Sequence, residues 1–235
     1  MALGKLYLVP VPLGEGGEDG LPAGVSAVLG RLRHLIAEQP KTARRWLKAL
    51  KLSRPLDSWE IRRLNKHTPP AEWNRYLDPA LQGEDVGLLS EAGCPGVADP
   101  GADIVGLAHR LGIEVVPLVG PSSILLALMA SGLNGQQFCF HGYLPRERQA
   151  LSRTLKALER EALREGRTQL FIETPYRNAP LFQALLRTLS PTTRLCVAVN
   201  LTLPNQWVRT RSVAEWKKQP PPPLEKQPAV FLFGV

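Results

Sequence analysis

Short apolar runs alternate with amphipathic stretches along the whole chain. The apolar runs are rich in β-branched and aromatic residues and are bounded by glycine and proline, a composition typical of strands. They occupy residues 5–12, 86–89, 113–119, 168–173, 194–203 and 229–235, and FCFHGYL at 138–144 begins another such unit. Helical periodicity falls at 22–30, 41–51, 102–111, 146–165 and 178–188. Strands that alternate with helices predict βαβ units, a parallel sheet and an α/β fold.

The segment GPSS at 120–123 lies near the middle of the chain and leads into ILLALMASG. We place a domain boundary in 117–122, which gives two α/β domains, residues 1–118 and 119–235, each of ordinary domain size. Ser122 or Ser123 can cap the helix that follows. Because this helix is apolar on every side, the pattern predicts that it is buried, between two layers.

Composition excludes several classes of protein. With 44% hydrophobic and 21% charged residues the chain has an ordinary globular balance, and no apolar run approaches the roughly 18 residues of a membrane span. The three cysteines are far apart and form no C-x-x-C, and the four histidines show no H-x-x-x-H spacing. The sequence therefore favours neither a disulfide framework nor a metal site, and a reducing, cytoplasmic compartment is the default.

Charge indicates the kind of partner. Twenty-nine Lys and Arg residues against 21 Asp and Glu give a net charge of +8, which favours polyanions, although a basic-leaning proteome explains the same excess. On a helix over 41–51, one face is basic and the other apolar. The basic face predicts phosphate contacts, while a solvated face opposite a core stripe remains the alternative. Its members are Lys41, Arg44, Arg45, Lys48 and Lys51.

The stretch LLSEAGCPGVADPG at 88–101 follows a strand and precedes a helix, where open α/β sheets bind ligands. Glycine there allows the backbone to approach a ligand closely. It contains neither a P-loop nor a G-x-G-x-x-G motif. Cys94 has no histidine nearby in sequence, so a small residue in a tight turn is favoured over a nucleophile. Glu91 and Asp99 are interpreted as turn and cap residues, and ETPYR at 173–177 as a helix start beside a second ligand-facing loop.

Seven segments together resemble the tetrapyrrole methylase superfamily of S-adenosylmethionine-dependent methyltransferases. The similarity is to the branch that methylates a cytidine 2′-hydroxyl in small-subunit ribosomal RNA. The segments, in order, are LYLVPVPLG (6–14), LIAE with a threonine after a gap (35–42), LLSEAGCPGVADPG (88–101), VVPLVGPSSILLALMASGL (115–133), FHGYLP (140–145), FIETPYR (171–177) and VAVNLT (197–202).

The resemblance implies a homodimer of two-domain α/β chains that binds S-adenosylmethionine in the cleft between the domains and acts on ribosomal RNA. By position, the implied cofactor contacts are Pro12, Ala92, Gly93, Cys94, Val97, Ser122, Ser123, Glu173 and Leu201. The substrate side is expected to contain Glu38, Lys41, Arg44, Arg45, Lys48 and Arg177. Glu38 retains the family's glutamate and is the candidate for a polar role at the acceptor hydroxyl. No residue is assigned as catalytic.

Four departures from the ribosomal branch fall outside the cofactor core. The N-L-x-D continuation is replaced by EGGEDG after Gly14, and D-T-R by Gln39, Pro40 and Lys41. R-E-L-T becomes Val199-Asn200-Leu201-Thr202, and a histidine-rich segment remains only as LNKH at 64–67. Three functions stay open: an RNA methyltransferase, a methylase of a tetrapyrrole-like small molecule, and a degenerate member that binds cofactor or RNA without catalysis.

Overall fold

A computed structural model describes residues 2–64, 68–69 and 72–235. The chain divides into two compact units, Met1–Ser122 and Ser123–Val235. The first contains the strands and helices β1 Leu6–Val9, α1 Ala23–Arg31, β2 His34–Ala37, α2 Pro40–Ala49, β3 Glu60–Arg63, α3 Asn74–Leu81, β4 Val86–Leu89, α4 Gly101–Arg110 and β5 Val115–Pro117. The second contains α5 Ser123–Ser131, β6 Phe138–Tyr143, α6 Arg148–Glu165, β7 Thr168–Ile172, α7 Asn178–Thr188, β8 Arg194–Val199, β9 Trp207–Ser212, α8 Val213–Trp216 and β10 Ala229–Gly234.

The sheet of Met1–Ser122 is parallel throughout and has the strand order β3-β2-β4-β1-β5. Helices cover both of its faces. Leu29 of α1 and Leu47 of α2 pack in one apolar core, whereas Leu77 of α3 and Ile104 of α4 pack in the other. Because a strand covered on both sides has no solvated face, it is apolar at successive positions. The four residues of β4, VGLL, are all buried.

The sheet of Ser123–Val235 is mixed, with the order β6-β7-β10-β8-β9. β6 runs parallel to β7, and the other pairs are antiparallel. One core joins α6, α7 and α8 to this sheet through Phe171, Phe182, Trp216, Phe231 and Phe233. The Phe171 and Phe231 rings stack with centroids 6.0 Å apart, and Trp216 Nε1 donates to the carbonyl of Leu195 at 2.8 Å. These buried rings account for the strongly apolar run that identified β10.

The α/β class is confirmed, and the main strands and helices lie where the hydrophobic pattern places them. The pattern missed β2, β3, α3, β9 and α8. Each of these strands has only four to six residues, a length at which periodicity does not distinguish a strand from other short apolar segments.

One packing prediction is wrong. In α5 only Ala127, Leu128 and Ser131 are buried, while Leu125 is 51% and Met129 79% exposed. The helix covers β8, β9 and β10 with one side. Its all-round apolar character therefore does not reflect all-round burial within the chain, and one side remains as an exposed apolar surface.

Candidate functional site

Loops at the carboxyl ends of β1, β4 and β5 form the centre of the candidate site in Met1–Ser122. The three strands are parallel neighbours in the order β4-β1-β5, so their carboxyl ends lie at one edge. The chain moves outward from β1 to β2 and β3, and then returns to place β4 beside β1. Such a reversal of strand order opens a crevice at the carboxyl ends of open α/β sheets, where ligands bind.

Gly93 is held in this crevice by contacts that leave little room for a side chain. Its φ is +74°, and a Cβ atom there would lie 3.0 Å from both Leu13 Cδ2 and the carbonyl oxygen of Pro121. Ser90 Oγ donates to the Gly93 carbonyl at 2.8 Å. The glycine-rich turn is therefore fixed by its backbone, as the composition of 88–101 predicts.

Asp99 organises the second half of the same turn. Its Oδ1 accepts hydrogen bonds from the backbone N–H groups of Gly96 and Gly101, both at 2.8 Å, and Gly101 begins α4. Burial raises the pKa of Asp99 above its ordinary value, while these two hydrogen bonds oppose the shift. The predicted role of Asp99 as a turn and cap residue is confirmed.

Cys94 has contacts that indicate a structural thiol. Its Sγ donates to the carbonyl oxygens of Gly120 and Pro121, at 3.6 and 3.4 Å. Burial raises the pKa of this thiol, which lowers the thiolate fraction that a nucleophile needs. These contacts favour the interpretation of Cys94 as a small residue in a tight turn.

A cleft of about 150 Å³ lies beside the first loop. It is lined by the segment after β1, by α2, and by Ser90 and Glu91 after β4. Its lining comprises Val11, Pro12, Gly14, Glu15, Glu18, Thr42, Ala43, Arg45, Trp46, Ala49, Ser90 and Glu91. Two residues predicted from the sequence, Pro12 and Arg45, thus face the same cleft.

Glu91 connects the cleft to α2. Its Oε1 accepts from the backbone N–H of Gln39 at 3.0 Å, and Gln39 is the residue before the first turn of α2. Burial raises the pKa of Glu91, and the charge of Glu38 raises it further, while the hydrogen bonds from Gln39 and Thr42 and the charge of Arg45 lower it. Glu91 therefore caps the start of α2, whereas the sequence predicted a turn or cap residue within its own loop. Glu38 lies close enough to influence its ionisation.

The two faces of α2 are those that the sequence predicts. Ala43, Trp46 and Leu47 are buried, and four basic side chains are exposed. They are Lys41, Arg44, Arg45 and Lys48. The basic surface of α2, defined by these four residues, thus borders the cleft through Arg45.

In Ser123–Val235, Glu173 follows β7 and is only 8% exposed. Its Oε1 accepts from the backbone N–H of Thr174 at 2.7 Å, and its Oε2 pairs with Nε of Arg177 at 3.0 Å. The predicted cofactor residue Glu173 and the predicted substrate residue Arg177 are thus ion-paired with each other. Because a buried carboxylate needs a partner, this pair is first of all a structural element of the loop.

Polar groups without protein partners lie at the carboxyl end of β8, around the buried Leu201. Asn200 has φ +50° and Thr202 has φ +71°, both in the left-handed region that side chains rarely adopt. The Asn200 amide donates to Gln227 Oε1 at 2.7 Å. Its Oδ1, Thr202 Oγ1 and the Oδ1 of Asn178 are buried and have no hydrogen-bond partner among residues 2–64, 68–69 and 72–235. Buried polar atoms of this kind are normally satisfied, so these atoms indicate a place for a polar ligand.

Sequence reasoning missed several of these groups. Glu15, Glu18 and Thr42 line the cleft, and Asn178 and Thr202 have the unpaired atoms. The available signal was the position of Glu15, Glu18 and Thr202 in loops that follow strands, because such loops face ligands in α/β sheets. Of the predicted set, Ala92 and Val97 are exposed, Ser122 and Ser123 are partly exposed, and residues 65–67 of LNKH lie outside the described residues.

Within 2–64, 68–69 and 72–235, no group of three or more His, Cys, Asp or Glu side chains is arranged to hold a metal ion. Over the same described residues, every helix is too short or too polar to cross a membrane.

Curated relatives share one name. The protein named Ribosomal RNA small subunit methyltransferase I of Pseudomonas aeruginosa is 32% identical over 177 residues, which cover 75% of this chain and 59% of that protein. The protein of the same name from Vibrio cholerae is 30% identical over 210 residues, 89% of this chain and 69% of that protein. The chain thus matches about six-tenths of the first relative's length and about seven-tenths of the second's.

Solved structures agree in fold. The methyltransferase CobJ superposes with a TM-score of 0.64 at 20% identity, covering 98% of this chain and 94% of that chain. Uroporphyrin-III C-methyl transferase from Thermus thermophilus, complexed with S-adenyl homocysteine, gives 0.53 at 19% identity, covering 98% and 97%. Residues 5–216 match the family described as Tetrapyrrole (Corrin/Porphyrin) Methylases. The chain belongs to the tetrapyrrole methylase family.

Proposed function

We propose that this protein is an S-adenosylmethionine-dependent methyltransferase that methylates a ribose 2′-hydroxyl in small-subunit ribosomal RNA. The observation that supports it most directly is the similarity to a relative named Ribosomal RNA small subunit methyltransferase I, which extends over 89% of the chain. The loops of Met1–Ser122 and the polar atoms of Ser123–Val235 support the proposal independently, from their geometry.

The residues present fit the cofactor. The adenine amino group, the ribose hydroxyls and the methionine ammonium of S-adenosylmethionine are hydrogen-bond donors. The unpaired Asn200 Oδ1 and Thr202 Oγ1 next to Leu201 can accept such bonds. Gly93 has no Cβ to separate its backbone from a ligand. We assign Pro12, Ala92, Gly93, Cys94, Val97, Ser122, Ser123, Glu173 and Leu201 to this site on the strength of the family motif.

When bound, S-adenosylmethionine supplies an electrophilic methyl group on a sulfonium. The task of the protein is to align the acceptor oxygen with that methyl group, and positioning of this kind lowers barriers by roughly 7–11 kcal/mol. The acceptor hydroxyl must also lose its proton. Glu38 lies within electrostatic reach of Glu91, whose pKa is raised mainly by burial. We assign Glu38 a polar role at the acceptor, and the hydrogen bond from the Gln39 N–H to Glu91 fixes the adjacent backbone at the start of α2.

The basic surface of α2 is the proposed contact with RNA phosphates. Lys41, Arg44, Arg45 and Lys48 are exposed at the rim of a cleft that the first cofactor loop also lines. Exposed cations near a polyanion gain affinity through release of its counterions. The net charge of +8 acts in the same direction. Arg177 is assigned to the substrate side by position alone, because its guanidinium is paired with Glu173.

The proposal includes a homodimer in the cytoplasm, where ribosomal RNA is processed. Support for the dimer comes from the exposed side of α5, where Leu125 and Met129 present large apolar side chains to solvent. Exposed apolar surface of this kind is typical of interfaces between proteins. A second copy of this chain is the proposed partner.

The test is methyl transfer by the purified chain to small ribosomal subunits from a strain that lacks its gene. We expect S-adenosylhomocysteine to form and one 2′-O-methylcytidine to appear in nuclease digests by mass spectrometry. No product with any ribosomal RNA, together with turnover on a porphyrin or corrin, would establish the small-molecule alternative. Binding of S-adenosylhomocysteine without turnover on any acceptor would establish the degenerate one.

A further inference from the structure

Cys139 and His141 form a thiol–imidazole pair on β6, the edge strand of the sheet in Ser123–Val235. They are two residues apart, so both side chains leave the strand on the same face. The Cys139 Sγ lies 3.9 Å from His141 Nδ1. Neither residue belongs to the loops or the cleft described above.

Gln169 of β7 fixes the tautomer of this histidine. Its Oε1 lies 2.6 Å from His141 Nε2, and its Nε2 donates to the carbonyl of Arg167 at 3.3 Å. The second contact fixes the orientation of the Gln169 amide. The reversed amide would place Gln169 Oε1 against the carbonyl oxygen of Arg167. An amide oxygen only accepts, so His141 Nε2 carries the proton and Nδ1 presents its lone pair to the thiol.

Burial of Gln169 keeps this arrangement in place, while the pair itself is partly exposed. Gln169 is 0% exposed, whereas Cys139 and His141 are partly exposed. Cys139, Gln169 and Phe233 are register partners across β6, β7 and β10. The pair therefore shares its sheet face with the large aromatic core of this unit, and does not depend on the exposed side of α5.

Among the described residues, the other two cysteines have no imidazole partner. Cys196 is 0% exposed and its pKa is raised mainly by burial. Cys94 donates to carbonyl oxygens, and its pKa is also raised by burial. A nucleophilic thiol needs an adjacent base that is itself oriented by a third group. Within the part of the chain that the structure describes, Cys139 is the cysteine whose sulfur contacts an imidazole.

We propose that Cys139 is a reactive thiol and the site at which this protein is oxidised by hydroperoxides. As the sulfur attacks one oxygen of hydrogen peroxide, the S–O bond forms and the O–O bond breaks. His141 Nδ1 takes the thiol proton, and the leaving hydroxide then receives a proton and departs as water. The sulfur is oxidised to the sulfenic acid and the peroxide is reduced to water. The proton that His141 takes from the thiol balances the proton that the hydroxide receives, so the reaction has no net exchange of protons with the medium. The sulfenic acid is reversible through a thiol.

The first test is site-resolved alkylation of the whole chain with limiting iodoacetamide at neutral pH, followed by peptide mass spectrometry. We expect Cys139 to react about tenfold or more faster than Cys94 and Cys196. His141→Gln removes the base and should reduce the Cys139 rate about tenfold. His109→Gln, the same substitution at an exposed histidine of α4, is the matched control and should leave that rate unchanged.

The second test uses hydrogen peroxide and a dimedone trap for sulfenic acid. The trapped mass should appear on Cys139 in the wild type and largely disappear in His141→Gln. Gln169→Leu removes the orienting acceptor and should give an intermediate rate. Thermal unfolding of each variant checks its fold, and His141→Gln alone suffices if Gln169→Leu does not fold. Equal reactivity of Cys139 and Cys94, or a Cys139 rate unchanged by His141→Gln, would overturn the proposal.

Discussion

Val11 and Gly93 exchange two backbone hydrogen bonds and form an isolated antiparallel bridge between the loops that follow β1 and β4. The Val11 N–H donates to the Gly93 carbonyl at 3.0 Å, and the Gly93 N–H donates to the Val11 carbonyl at 3.1 Å. The two loops are therefore one structural unit. A change in either loop is expected to displace the other, which makes Gly93 the most sensitive position of the glycine-rich turn.

Substitution of Gly93 tests whether this turn holds the cofactor by its backbone. Gly93→Val places a branched side chain at φ +74°, against Leu13 and the Pro121 carbonyl. Left-handed backbone alone costs about 1–2 kcal/mol for an L-residue. We expect severe loss of S-adenosylhomocysteine affinity by calorimetry, accompanied by a lower melting temperature.

Cys94→Ser, at the next position, is the comparison variant for Gly93→Val. A serine hydroxyl can donate to the same carbonyls of Gly120 and Pro121 as the thiol does, so affinity should stay within about twofold. Equal tolerance at both positions would contradict the backbone role of the turn. A strong loss in Cys94→Ser would show that the sulfur itself matters.

Gly120 tests the packing of the loop after β5. A Cβ atom at this position would lie 2.1 Å from Pro10 Cβ and 2.3 Å from its Cγ, so Gly120→Ala forces the two loops apart. Overpacking of this kind destabilises proteins by about 1–3 kcal/mol. Urea unfolding followed by circular dichroism measures the change in the free energy of unfolding.

Gly24→Ala provides the control, because Gly24 lies in α1 and a Cβ atom there meets nothing within 4 Å. Alanine in a helix is favoured over glycine by up to about 1 kcal/mol. We therefore expect the same chemical change to be neutral or stabilising at Gly24. Destabilisation at both positions would indicate that space around the glycine is not what decides the outcome.

The contrast between these glycines shows what the sequence could and could not predict. The run LLSEAGCPGVADPG predicted a backbone-shaped turn from composition alone, and the turn exists. Gly120 gave no such signal, because its restriction comes from Pro10, 110 positions earlier in the chain. A local sequence pattern predicts the local backbone conformation. Which loops approach each other depends instead on the order of the strands in the sheet.

The same reason explains the parts of the site that were missed. The sequence predicted the basic and apolar faces of α2, because helical periodicity is local. It did not predict that Gln169 would orient His141, since the two residues are 28 positions apart and meet only when β6 pairs with β7. Nor did it predict the exposed side of α5. An apolar sequence predicts that a helix is buried, but it does not show which surface covers it.

Two carboxylates should give stability profiles of opposite slope with pH. Hydrogen bonds from the backbone N–H groups of Gln149 and Ala150 hold the pKa of Glu147 below its ordinary 4.5. The stabilisation is fully present above that ordinary value and is lost as pH falls through the lower folded value. Hence the advantage of the wild type over Glu147→Gln should grow as pH rises.

Asp99 should behave in the reverse way, because burial raises its pKa above the ordinary 3.8. The folded state then favours the protonated form, so stability is lost as pH rises through the folded value. Asp99→Asn keeps an oxygen that can accept from Gly96 and Gly101, and its advantage over the wild type should grow with pH. Chemical unfolding of both pairs between pH of about 3 and 6 measures the slopes, and two slopes of the same sign would contradict the assignments.

The basic surface of α2 gives a prediction for RNA binding. Arg44 and Lys48 are exposed and one helical turn apart, so they can contact neighbouring phosphates. Each phosphate contact contributes about 0.7–0.9 to the slope of log affinity against log salt concentration. The double variant Arg44→Ala and Lys48→Ala should therefore weaken binding to ribosomal RNA fragments and reduce that slope by about 1–2.

The control is the matched pair Lys156 and Arg160 of α6. Both are exposed and one turn apart, and their double alanine variant removes the same charge far along the chain from α2. Filter binding across a salt series should give the wild-type slope in this control. An effect of net charge alone would instead reduce the slope of both double variants equally. If the slope falls by the same amount in the two double variants, α2 is not the specific RNA contact. That result would not change the conclusions about cofactor binding or the Gly93 turn.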